Sequence, residues 1–108
     1  MRVVYTDEAL ADLDEILEYI TAHYPAIYGS FERRLRLIEA RIGSWPESAR
    51  MVAERPGIRV VPFIRYPYKL FYRIENDRVE ILHIHHAARR APWEQNNEDA
   101  AGPGMAED

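Results

Sequence analysis

The residues with the most chemical potential lie late in the chain. His83, His85 and His86 fall within four positions, and Arg59, Arg65, Arg73, Arg89 and Arg90 are spread on either side of them. Cutting a phosphodiester through a neighbouring hydroxyl needs a group that takes a proton, one that returns it, and cations for the charged intermediate. By residue type His86 suits the acid or base, with Arg65, Arg73 and Arg89 clamping phosphate. The plainer reading is that His86 and Arg89 close a strand by bonding to nearby backbone or acids. Arg59 and Arg73 likewise would pair with helix acids or lie along a sheet.

His83 and His85, two apart on a strand, share a face and could both meet zinc. Spacing offers no evident third ligand and the chain has no cysteine, so neither a metal centre nor a cofactor is expected. The glycines form no phosphate-cradling loop, and no serine nucleophile elbow is present. Tyr66, Tyr68 and Tyr72 read as sheet packing rather than as a platform for stacked bases.

The elements that would position these groups follow from periodicity. Arg2–Tyr5 is β-prone, and Thr6 stands as an N-cap before Asp7 and Glu8. Leu10, Leu13, Leu17 and Ile20 repeat on one helical face, predicting a helix from Asp7 to about Ala22, with Asp12, Asp14, Glu15 and Glu18 on its solvated side. After Tyr24-Pro25, the residues Tyr28, Phe31, Leu35, Ile38 and Ile42 predict a second helix, with Gly43 as its stop. The short link makes the two an antiparallel hairpin. An irregular connection spans 44–57. Three β-prone runs follow, from Ile58 to Ile64, Tyr68 to Ile74 and Val79 to His85. Pro62 marks an edge or bulge, and Glu75-Asn76-Asp77-Arg78 a tight turn. The expected fold is α+β: an N-terminal strand, a helical hairpin, then a three-strand antiparallel meander, with the helices on one face of the sheet.

Charge is divided along the chain. Residues 1–32 carry −6, residues 33–93 carry +7, and residues 94–108 carry −5. The basic middle can attract phosphate or an acidic protein segment, although a solvated face is the simpler account. A domain over residues 1–93 and an acidic, disordered tail over 94–108 are expected. The start turns acidic before any signal-like apolar run, and no stretch approaches the roughly 18 apolar residues of a membrane span. A cytoplasmic protein with no membrane partner is the reading.

Over residues 2–93 the order of elements and several local stretches resemble the RelE/ParE toxin superfamily. These stretches are Asp12-Leu13-Asp14-Glu15-Ile16, Pro56-Gly57-Ile58-Arg59, Tyr66 to Ile74, and Ile81-Leu82-His83-Ile84-His85-His86-Ala87-Ala88-Arg89. The resemblance implies a growth-arresting toxin held inactive by a cognate antitoxin, in a possible hetero-oligomer. It also implies one of two targets: ParE-like members poison DNA gyrase, and RelE-like members cut messenger RNA on the ribosome. Antitoxin or target would meet Arg59, Arg65, Arg73, Arg89 and Arg90, whereas His86 and Arg89 would be catalytic only in a ribonuclease. RelE-like toxins commonly carry a tyrosine soon after the last strand; here Ala87 to Pro92 has none, and Trp93 is the late aromatic. The His86-x-x-Arg89 ending resembles the ParE-like branch more closely, which favours gyrase inhibition. A third outcome is a non-toxic interaction domain.

Because residues 94–108 lack an apolar pattern, their removal should leave the melting temperature unchanged and growth arrest intact. Growth assays at matched expression, with thermal melts of both proteins, would check this; a stable but harmless truncation would make the tail a recognition element.

Overall fold

The computed structural model describes residues 1–88. Trp93, Arg89, Arg90 and the acidic tail of 94–108 lie outside the described residues. The elements are β1 (Arg2–Tyr5), α1 (Asp7–His23), a 3-10 turn (Pro25–Ile27), α2 (Tyr28–Ser44), β2 (Arg50–Met51), β3 (Ile58–Pro62), β4 (Tyr68–Glu75) and β5 (Arg78–His86). The expected α+β plan holds, with one strand more than anticipated. The two-residue β2 pairs antiparallel with β3, giving a five-stranded sheet in the order β1-β5-β4-β3-β2. A strand that short carries no alternation to read.

Local chemistry explains most boundaries. Thr6 caps α1 by accepting the Ala9 N–H at 3.1 Å, and its hydroxyl reaches back to the Ile81 and Leu82 carbonyls at 3.0 and 3.2 Å. One side chain therefore ends β1, starts α1 and ties both to β5. Arg55-Pro56-Gly57-Ile58 is a tight turn in which Gly57 takes φ +91° and the Ile58 N–H donates to the Arg55 carbonyl at 3.1 Å. That geometry wants proline second and glycine third. Asn76, at φ +57°, makes the two-residue β4–β5 hairpin with Asp77; asparagine tolerates the left-handed region better than most residues.

Two details of the helices differ from the periodic reading. Gly43 is not the stop of α2, which runs to Ser44. A Cβ at Gly43 would meet the Met1 carbonyl at 3.1 Å and Val3 Cγ2 at 3.3 Å, so the glycine lets α2 approach β1 closely. In α1 the buried line is Ala9, Ile16 and Ile20, with Leu13 and Leu17 beside it and Leu10 turned outward.

The core lies between the helices and one face of the sheet. Phe31 is fully buried, stacks on Phe63 at 5.2 Å and meets Tyr66 and Tyr68 edge-on. Tyr72 is also fully buried, and its hydroxyl donates to the Pro46 carbonyl at 2.5 Å. The tyrosines of β4 and the turn before it are thus packing residues, as expected. Val52, Val60 and Phe71 form a smaller cluster on the opposite face. Among the described residues no helix is long and apolar enough to cross a membrane.

The Thr6 hydroxyl should be separable from its methyl. Thr6→Ala should cost about 1–2 kcal/mol, since cap and strand tether go together, whereas Thr6→Ser should be nearly neutral. Urea denaturation with an unchanged m-value would measure both; equal losses in the two variants would refute the role of the hydroxyl.

Candidate functional site

The register of β5 decides where the histidines point. Phe71 pairs with His83 but Tyr72 pairs with Ile81, so Leu82 is an extra residue and β5 bulges there. Before the bulge Val79 and Ile81 face the helices; after it that side passes to Ile84 and His86. His83 and His85 consequently share the opposite face with Glu80. A regular strand would have put His83 and His85 on the side of Val79 and Ile81, in the core.

β1 pairs with β5 only as far as Tyr5 opposite Ile81, which leaves the outer edge of β5 beyond that point without a strand neighbour among the described residues. α1 fills the gap. Asp12 accepts the Ile84 N–H at 3.0 Å, and the same oxygen lies 3.2 Å from His83 Nδ1 and 3.9 Å from His85 Nε2. Asp12 is therefore no surface acid, as the helical pattern implied, but a half-buried cap on an open strand edge. No helical wheel carries that information, because the demand comes from a strand more than seventy residues away.

The other candidates are occupied in ways that sort them. His86 is exposed at the end of β5, its ring edge-on to Tyr68 at 5.6 Å, and its Nδ1 accepts the Ala88 N–H at 3.2 Å. Arg59 donates to the Ala49 and Glu47 carbonyls at 2.8 and 3.1 Å, holding the connection after α2. Arg73 and Arg78 grip Glu80 from either side, with closest approaches of 3.0 and 2.6 Å. These bonds, first from Arg78 and then from Arg73, hold the Glu80 carboxyl below the usual carboxylate range. Arg65 is exposed in the β3–β4 turn at φ +82°, a conformation uncommon for a residue with a Cβ.

Among the described residues the structure does not bring Arg73 to His86. His86 pairs with Tyr68 and Glu80 pairs with Arg73, five residues farther along β4, so Arg73 and His86 sit roughly 17 Å apart along the sheet. Arg65 shares the His86 end; Arg89 and Arg90 lie outside the described residues.

Two grooves flank the core. One, of about 720 Å³, lies between α1 and the ends of β4 and β5, lined by Asp12, Glu15, Tyr19, Tyr68, His85 and His86 among others. The second, of about 640 Å³, lies between α2 and β3 and includes Arg34, Leu37, Arg41, Trp45 and Ile64. Leu37, Trp45 and Ile64 are 61%, 67% and 59% exposed, a concentration of apolar surface that the periodic reading missed. The one sequence signal was Leu37, an apolar residue off the buried stripe of α2.

Comparison with known proteins places this architecture. Residues 3–91 match the family model described as the ParE toxin of type II toxin–antitoxin systems, parDE. The chain belongs to the ParE toxin family. It is the toxin component of a type II toxin–antitoxin system. It is 35% identical over 89 residues to Toxin RelE2 of Caulobacter vibrioides, covering 82% of this chain and 97% of that protein. The fold of the toxin is shared with solved structures of lower identity. The chromosomal ParDE system of P. aeruginosa aligns at TM-score 0.60 and 22% identity, over 80% of this chain and 95% of that one. The isolated E. coli RelE toxin aligns at 0.51 and 12% identity, over 92% and 97%.

The Arg73–Glu80–Arg78 cluster gives the toxin an acid-sensitive element. A carboxyl whose folded pKa is depressed contributes stability that is present above its unfolded value, near 4.3, and lost as pH falls through the folded value. Wild type should therefore melt above Glu80→Gln at neutral pH, with the gap closing below about pH 4. A gap that stays constant from pH 7 to pH 3 would contradict the assignment.

Proposed function

We propose that this toxin arrests growth by inhibiting DNA gyrase through protein–protein contact, and that its antitoxin neutralises it by laying an acidic amphipathic segment into the groove between α2 and β3. The ParE family match supports the first part. The observation that carries it is the engagement of the basic side chains. Arg73, which a ribonuclease would turn toward phosphate, holds Glu80 instead and stands far along the sheet from His86, while Arg59 donates to backbone carbonyls. A general acid or base needs its cations within reach of the same reacting group.

The second part rests on complementarity. The α2–β3 groove combines exposed Leu37, Trp45 and Ile64 with the guanidinium groups of Arg34 and Arg41. An amphipathic acidic segment fits both features, and partly buried aromatic and arginine side chains are the usual anchors of such interfaces. The P. aeruginosa ParDE and E. coli RelBE structures are complexes or systems of this toxin–antitoxin kind, the latter described as an intact toxin–antitoxin complex.

Two measurements test the reading. The purified toxin should block supercoiling by gyrase and leave messenger RNA intact on programmed ribosomes; cleavage there with gyrase unaffected would replace gyrase inhibition by ribonuclease activity. Trp45→Ala should weaken antitoxin binding by about 30-fold, or 2 kcal/mol, without lowering the melting temperature. An unchanged Kd would move the interface elsewhere.

A further inference from the structure

We infer that Asp12, His83 and His85 form a binding site for a divalent transition-metal cation, with zinc as the best-matched ion. The third ligand that spacing within β5 could not supply comes from α1. One oxygen of Asp12 and one nitrogen from each imidazole lie within 4.8 Å of one another. From Asp12 Oδ2 the separations are 3.2 Å to His83 Nδ1 and 3.9 Å to His85 Nε2. Ligands about 2.1 Å from a tetrahedral ion stand roughly 3.4 Å apart, so the set needs only small side-chain adjustments to close on zinc.

The surroundings suit a bound ion. The His83 and His85 side chains are 30% and 12% exposed and that of Asp12 23%, which leaves the donors partly desolvated yet reachable. Asp12 and His85 line the groove beside α1, so water from it supplies the fourth ligand. Asp12 is already oriented by the Ile84 N–H, an outer-shell hydrogen bond of the sort that fixes a ligating carboxylate. Two imidazoles and a carboxylate suit zinc better than calcium or magnesium, which prefer all-oxygen shells. On binding, any proton on His83 Nδ1 or His85 Nε2 leaves to solvent, because each nitrogen must present a lone pair. The bulge at Leu82 makes the site possible, since it keeps both histidines out of the core and at the edge that Asp12 reaches. The bound cation joins α1 to β5 where β1 has stopped supporting that strand.

The test uses full-length toxin without an affinity tag, titrated calorimetrically with Zn²⁺ alone. One equivalent should bind in the micromolar range or tighter, and the melting temperature should rise by several degrees at saturation. His83→Gln and His85→Gln should each weaken binding at least about 10-fold. Asp12→Asn keeps an acceptor for Ile84 and should do the same without unfolding the chain, while His23→Gln should bind as wild type does. In long-range ¹H–¹⁵N spectra, saturation should shift His83 Nδ1 and His85 Nε2 specifically. The inference fails if no zinc binds at millimolar concentration, or if binding survives His83→Gln and His85→Gln.

Discussion

The constraint on which the rest depends is a mismatch in length between two neighbouring strands. β5 has nine residues and β1 has four. Their pairing is parallel, and it ends at Tyr5 because Thr6 must leave the strand to cap α1. Buried backbone donors have to find partners, and beyond Ile81 the outer edge of β5 has no strand among the described residues to provide them. α1 takes that place, and Asp12 accepts from Ile84. The first helix therefore serves two roles, closing the core with Ile16 and Ile20 while closing the sheet edge with a carboxylate. Placing a carboxylate there brings it beside two histidines, and the chemistry of that corner follows from edge satisfaction.

The two faces of the sheet are stabilised by different physics. Toward the helices the contacts are aromatic and apolar, centred on Phe31 and Tyr72. Tyr5 sits at the border of that layer, hydrogen-bonded to Glu39 of α2; burial and the Glu39 bond hold its phenol well above the ordinary range, so it remains a donor. Away from the helices an ionic cluster stands beside the small apolar cluster of Val52, Val60 and Phe71. Glu80, 8% exposed, is a near-buried carboxylate that requires Arg73 and Arg78, because removing the partners of a desolvated charge costs more than the pair itself contributes. A basic sheet face is thus partly neutralised by its own acid, which turns attention from the sheet to α2 as the accessible cationic surface.

How much of this was legible in the sequence depends on whether the cause is local. The Thr6 cap, the Asn76 hairpin and the two helices have nearby causes and were readable, as was the packing role of Tyr66, Tyr68 and Tyr72. Gly43 looked like a helix stop because glycine commonly is one, but its use is the close approach of Met1 and Val3, distant in sequence. The Leu82 bulge exists only as a difference in count between paired strands, so β5 alone cannot reveal it. Asp12 was legible as part of a family-like stretch and illegible in its role, since one more acid on an acidic helix face looks like solvated surface. Arg59 and Arg73 have structural partners other than the helix acids expected for them: Arg59 holds the Ala49 and Glu47 carbonyls and Arg73 pairs with Glu80 of β5, contacts that only the folded sheet brings together.

The distribution of charge then separates the two surfaces. α1 presents acids outward, including Asp7, Glu8, Asp14, Glu15 and Glu18, whereas α2 presents Arg33, Arg34, Arg36 and Arg41 with only Glu32 and Glu39 against them. An approaching acidic segment is repelled by one helix and drawn by the other, and such fields act chiefly on the rate of encounter. A cation experiences the opposite bias and is drawn toward α1, where Asp12, His83 and His85 converge. The two grooves share no lining residue. One small domain can therefore offer an anionic partner and a cationic ligand separate entrances, because the sequence places its acids in the first helix and its arginines in the second.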